Sequence, residues 1–205
     1  MKTIRYEIFD LEAVANLLKD GKVVAFPTDT VYGVGVIYGN EAALQALKES
    51  KKRPDNKPIP TMVSSEAQIR EVAHVNKYEA ALIEEFLPGA LTLILRKRSA
   101  VPAYVTNGLD TIAIRMPDDD AILHLIDLVE RPLLVSSANL SGEDTGDDED
   151  EVLEQLDGRI DAIVVGETKG HKPSTIVDIR DGNLKILRDG AISARRIKAV
   201  LKNID

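Results

Sequence analysis

Cysteine is missing altogether from the 205 residues. That absence excludes disulfides, zinc–thiolate centres and a cysteine nucleophile. No apolar run approaches the roughly 20 residues of a membrane span. The first ten residues, "MKTIRYEIFD", lack the apolar region of a signal peptide. Both absences lead to the expectation of a cytoplasmic protein that does not meet a membrane. Nucleotide and hydrolase signatures are missing too. There is no GxxxxGK[ST] P-loop, no HExxH and no GxSxG, and "GVGVIY" puts Tyr38 where a dinucleotide fingerprint needs its third glycine. Histidine is scarce and scattered, at His74, His124 and His171, so no metal site from protein side chains is expected. Nor is there an internal repeat or a Pro/Gly/Ser-rich linker, and one domain over residues 1–205 is expected, with no additional carboxyl-terminal domain.

What is present is ordinary globular composition, 44% hydrophobic and 29% charged, with a formal charge of −8. The net charge argues against a uniformly basic nucleic-acid binder. It hides a segregation, however. Acids crowd residues 118–120 and 142–158, while bases gather in "KESKKRPDNK", in "RKR" (Arg96 to Arg98) and near the carboxyl end. An anion can still meet a locally positive cleft.

Periodicity places the elements. "LEAVANLLKD" reads as a helix capped by Asp10, "NEAALQALKESK" as one capped by Asn40, and "KYEAALIEEFL" as one opened by an Asn76–Glu79 capping box. Ser65 with Gln68 repeats that signature, and Ser193 opens the last helix. "KVVAF", "IPTMV", "LTLILR", "TIAIRM", "PLLVSS" and "AIVVG" read as strands, and "STIVDIRDGNLKILR" as a hairpin turned at Asp181-Gly182. Strands and helices alternate but hairpins interrupt them, which predicts one mixed-sheet α/β domain.

Polar clusters follow three of these strands: "PTDTVYG", "SSANLSG" and "KPSTIVD". Each is compatible with plain turn chemistry. Together they resemble the loops with which α/β sheets hold small polar ligands. Lys51 and Arg53 precede Pro54 in a stretch expected to be extended; they are either a solvated helix end or a pair of cations aimed at one anion. "TIAIRM" alternates strictly, so Thr111 and Arg115 share a face opposite Ile112 and Ile114. That face is an anion site, unless Arg115 is a paired surface residue.

Seven stretches in order, "FPTDTVYGVG", "KKRPDNKPI", "LPGALTLIL", "VTNGLDTIAIRMP", "VSSANLSG", "STIVD" and "ILRDGAI", resemble the YrdC/TsaC family of threonylcarbamoyl-AMP synthases across roughly residues 10 to 190. The resemblance implies a single YrdC-like α/β domain, a twisted mixed β-sheet with flanking helices around a large, positively charged cleft. It implies condensation of L-threonine, bicarbonate and ATP, with Mg²⁺ accompanying ATP, into threonylcarbamoyl-adenylate and pyrophosphate. Partner proteins then carry the group to tRNA. By motif position, Thr30, Thr111, Arg115, Ser137 and Ser174 line the threonine and carbamate site. Lys51, Arg53, Asn139 and Arg188 hold ATP. The resemblance also implies an alternative, a module that binds double-stranded RNA without catalysis, and a further one, a paralogue acting on another carbamoyl-type substrate. The chain departs from the family pattern at Pro173, Met62, Asp189 and the acidic segment 142–151, which is expected to be mobile or peripheral without ligand.

Overall fold

The computed structural model describes residues 2–202 and 204. Alternation along the strands decides its architecture. Eleven strands form one mixed sheet. From one edge the order is β1 (Ile4–Tyr6), β9 (Ala162–Val164), β2 (Val24–Phe26), β3 (Gly33–Ile37), β8 (Leu133–Ser137) and β4 (Thr61–Met62). It continues through β7 (Thr111–Arg115), β6 (Leu91–Lys97), β10 (Thr175–Asp178) and β11 (Lys185–Arg188), while β5 (Ala73–His74) pairs with β6 off this path. Pairs such as β4–β7 and β6–β10 are parallel, whereas β3–β8, β6–β7 and β10–β11 are antiparallel.

One face of the sheet is continuously apolar. Leu91, Leu93 and Leu95 of β6 and Ile112 and Ile114 of β7 pack there under α2 (Glu41–Ser50), α3 (Glu66–Val72), α4 (Lys77–Phe86), α6 (Glu149–Leu156) and α7 (Ala194–Leu201). The other face is covered only in part. Leu11, Val14 and Leu18 of α1 (Leu11–Lys19) and Ile122, Leu125 and Ile126 of α5 (Asp120–Val129) bury Phe26, Leu133, Val135 and Val164. Over β7, β6, β10 and β11 the same face presents Thr92, Ala113, Arg115 and Ser174 to an open concavity. The site exists because two helices cannot cover a sheet this wide.

Local signals account for most boundaries. Asn40 Oδ1 accepts from the Ala43 N–H at 3.0 Å, and Asn76 with Glu79 forms the complete capping box. Ser193 caps α7 through the Arg196 N–H. The Ser65 hydroxyl caps α3, but Gln68 Oε1 accepts from Ser64 rather than Ser65. Asp10 does not cap as expected: with φ −92° and ψ 25° its carboxylate turns back to the Glu7 N–H. Among the described residues, no helix is long and apolar enough to cross a membrane.

Candidate active site

The concavity has a volume of about 330 Å³, within the range of small-molecule sites. Its first wall is the turn after β2. The Thr28 hydroxyl donates to the Val31 carbonyl at 2.7 Å, so the 3.2 Å contact between the two threonine hydroxyls is donated by Thr30. The Thr30 N–H also reaches Thr28 Oγ1, at 3.2 Å. Thr30 is thereby left with acceptor lone pairs toward the cavity, suited to an incoming N–H or O–H. Tyr32 anchors the turn from behind, fully buried, its hydroxyl donating to the Val164 carbonyl at 2.5 Å. Burial pushes that phenol up from its ordinary range.

A second wall is the end of β8. Ser136 and Ser137 both line the cavity, and the Ser137 hydroxyl donates to Asn139 Oδ1 at 2.5 Å. The third is built from β10 and β11. The β10–β11 register pairs Ile176 with Arg188 and Val177 with Ile186, so Leu187 is the extra residue of a bulge. That bulge lets consecutive residues, Leu187 and Arg188, both line the cavity. Arg188 Nε and Nη2 fork onto the Ser174 carbonyl at 3.0 and 2.9 Å, and the Ser174 hydroxyl meets Thr92 Oγ1 at 2.7 Å.

Among the described residues, three arginines, Arg53, Arg115 and Arg188, line this space, and no carboxylate does. Burial holds each guanidinium below its ordinary range. Arg115 has one anionic partner: its Nη2 lies 2.5 Å from Asp29 Oδ1, with both side chains about nine-tenths buried. Its Nε is buried without a hydrogen-bond partner among the described residues. Guanidinium groups in excess of carboxylates suit such a cavity to an anion.

Of the nine residues named from sequence, the cavity brings together Thr30, Arg53, Arg115, Ser137, Ser174 and Arg188. It does not bring Lys51, Thr111 or Asn139 to its lining. Thr111 has the right face of β7 but stands four residues from Arg115, roughly 13 Å along the strand. Asn139 spends its amide on the carbonyls of Leu140 and Glu143, each at 2.8 Å. Lys51 does not lie in extended chain: it ends α2 in the helical region, at φ −94° and ψ −4°. Helix α2 ends with Lys52 in the left-handed region, φ 52°, and with the Arg53 N–H on the Lys48 carbonyl. That reversal sends the two side chains apart: Arg53 to the cavity, Lys51 into the interior. Asp29 and Thr92 were not singled out from sequence. Thr92 carried a signal, being the one hydroxyl in an otherwise apolar "LTLIL". Of the departures from the family pattern, Met62 and Pro173 fall on the lining itself, whereas residues 142–151 do not.

Fold and site together define an α/β protein whose half-covered sheet cups a cavity lined by hydroxyls and three arginines. Residues 16–190 match the Sua5/YciO/YrdC family, described as "Telomere recombination". The chain is 37% identical over 202 residues to a threonylcarbamoyl-AMP synthase of Pyrococcus abyssi, covering 98% of this chain and 59% of that protein. It is 40% identical over 190 residues to a protein of the same name from Bacillus subtilis, covering 91% and 55% respectively. The solved structure of Pyrococcus abyssi Sua5 complexed with L-threonine superposes with a TM-score of 0.90 at 37% identity, over 99% of this chain and 61% of that one. The chain belongs to the Sua5/YciO/YrdC family, and it spans somewhat more than half the length of these relatives.

Proposed function

We propose that the chain is an enzyme of adenylyl transfer, an L-threonylcarbamoyladenylate synthase acting on L-threonine, bicarbonate and ATP. The observation that carries this reading is the set of three arginines, Arg53, Arg115 and Arg188, around acceptor hydroxyls in one cavity. The names of the relatives, and the L-threonine in one of their structures, support threonine as the amino acid.

The chemistry fits a cavity lined by neither cysteine, lysine nor histidine. Threonine's amine attacks bicarbonate, water leaves, and the resulting carbamate oxygen is itself the nucleophile. It forms a bond to the α-phosphorus as the bond to the pyrophosphate oxygen breaks. The protein's part is to hold the reactants in line and to stabilise charge on the phosphates. Arg115 grips the carboxylate of threonine, Thr30 accepts from its amine or hydroxyl, and Arg53 and Arg188 neutralise phosphate. The lining does not fit a protein-held Mg²⁺, since it has neither carboxylate nor imidazole. Magnesium enters with the nucleotide, as part of the substrate.

A duplex-RNA module is the less favoured reading. A-form duplexes are read through phosphates and hydroxyls across an open surface, whereas Arg115 is 8% exposed inside a concavity. The test is pyrophosphate release from ATP. Release that requires both threonine and bicarbonate supports the synthase; release with another amine in place of threonine supports a paralogue; duplex RNA binding without release supports the module. A companion prediction concerns Arg53, whose Nε and Nη2 donate to the Lys57 and Pro58 carbonyls at 3.2 and 2.8 Å while Nη1 lies 3.5 Å from Ser136 Oγ on the cavity lining. Arg53→Ala should weaken ATP binding by roughly 1.5–3 kcal/mol, the worth of a charge-assisted contact. Unchanged ATP affinity in calorimetry would remove Arg53 from the nucleotide site.

A further inference from the structure

Lys51 is 1% exposed, and its amine donates to the carbonyls of Ser137 and Asn139, in the loop that leaves β8. The main chain ties back, with the Ser141 N–H on the Lys51 carbonyl at 2.9 Å. Asn139 closes the knot by accepting from Ser137 Oγ and donating to the Leu140 and Glu143 carbonyls. Among the described residues no carboxylate compensates the buried amine; Arg53, of like charge, is its charged neighbour. Burial first and Arg53 second push the amine down to about 7. Either protonation state serves the loop, because a neutral amine keeps two N–H groups for two carbonyls.

The direction of those carbonyls matters to the cavity. A peptide oxygen carries partial negative charge, and two of them turned outward beside Arg53 would oppose a phosphate. Turned inward, they leave the serine side chains as the wall. We propose that Lys51 is a positioning residue: it draws the Ser137 and Asn139 carbonyls into the interior and so sets the Ser136–Ser137 wall of the anion site, without touching the nucleotide. The proposal rests on the synthase reading only where turnover is measured.

Two measurements need no turnover. In the wild-type protein, acetylation footprinting should label Lys51 at under a tenth of the rate of the exposed Lys52, with or without inorganic tripolyphosphate. Rapid labelling that tripolyphosphate suppresses would make Lys51 a phosphate contact and overturn the proposal. In Lys51→Met, which keeps side-chain length but has no donor, amide exchange across residues 138–143 should rise at least tenfold while exchange in β7 stays unchanged. In that variant KM for ATP should rise at least tenfold, in step with the rise in loop exchange. Unchanged loop exchange with a tenfold weaker KM for ATP would also overturn the proposal. If Lys51→Met does not fold, the wild-type footprint decides alone. Failure of tripolyphosphate to bind the wild-type protein in calorimetry would count against the synthase reading instead, leaving the exchange experiment to judge Lys51.

Discussion

Arg115→Ala should abolish threonine-dependent pyrophosphate release and, in the same samples, lower stability by about 3–5 kcal/mol. A cation that only faced the cleft would be dispensable for folding; this one also holds a buried partner. Arg115 is 8% exposed and paired at 2.5 Å with an equally buried Asp29, 86 residues away in sequence. Removing the guanidinium leaves that carboxylate buried and unpaired, which is the costly half of breaking an interior ion pair. For a chain of this length the loss corresponds to a drop in Tm of roughly 6–20 °C. The double variant Arg115→Met with Asp29→Leu separates the two roles. It removes both charges, so much of the stability should return while activity stays lost. Arg115→Lys keeps charge but cannot hold Asp29 and a ligand carboxylate at once, so it should impair threonine use more than folding. If Arg115→Ala melts like the parent, the buried pair is not formed; if threonine still supports turnover, the carboxylate is bound elsewhere.

That double role marks where sequence reading ends. The parity of "TIAIRM" is enough to put Arg115 opposite Ile112 and Ile114, because side-chain direction in a strand is a local property. Its partner is not local. Asp29 sits on another loop, and no spacing within either segment shows that the two carboxyl and guanidinium groups meet. Thr111 illustrates the same limit in one dimension: face is fixed by parity, but height along the strand depends on where the concavity ends. Lys51 and Arg53 illustrate it in a third way. Their separation follows from one left-handed residue, Lys52, at a helix end where glycine is the usual occupant. Without that glycine, "KKRP" reads as a continuous basic run. The caps at Asn40 and Asn76 and the hairpin at Asp181-Gly182 were legible because each is decided within four or five residues. Strand β3 was not, since Gly33 and Gly35 speak against a strand. Their reason is tertiary: a Cβ on Gly35 would lie 2.9 Å from Val135 Cγ2 on the neighbouring strand.

Gly190→Ala should damage both the fold and the site, more than any other single methyl group at the third wall. A Cβ on Gly190 would lie 2.4 Å from the Pro173 carbonyl oxygen and 2.5 Å from both Ser174 C and Thr175 N. All three are backbone atoms, so no rotamer change relieves the overlap. Nor can the two segments part easily. The Ala191 N–H donates to the Pro173 carbonyl at 3.1 Å, and Thr175 Oγ1 both donates to the Ile192 carbonyl and accepts from the Ile192 N–H. Ordinary contact needs about an ångström of displacement. The chain that must move carries Ser174, whose hydroxyl meets Thr92 and whose carbonyl receives the Arg188 fork. Overpacking of this kind costs roughly 1–3 kcal/mol, and rigid backbone on every side favours the upper end. The expected result is a destabilised protein whose folded fraction binds tripolyphosphate at least tenfold more weakly, because Arg188 loses its support. Gly108→Ala is the control: its Cβ meets nothing within 4 Å, so only the strain of φ 78° is felt and the site is untouched. A Gly190→Ala protein with parental stability and parental anion affinity would show that the turn yields freely, and that Ser174 and Arg188 do not depend on it for their places.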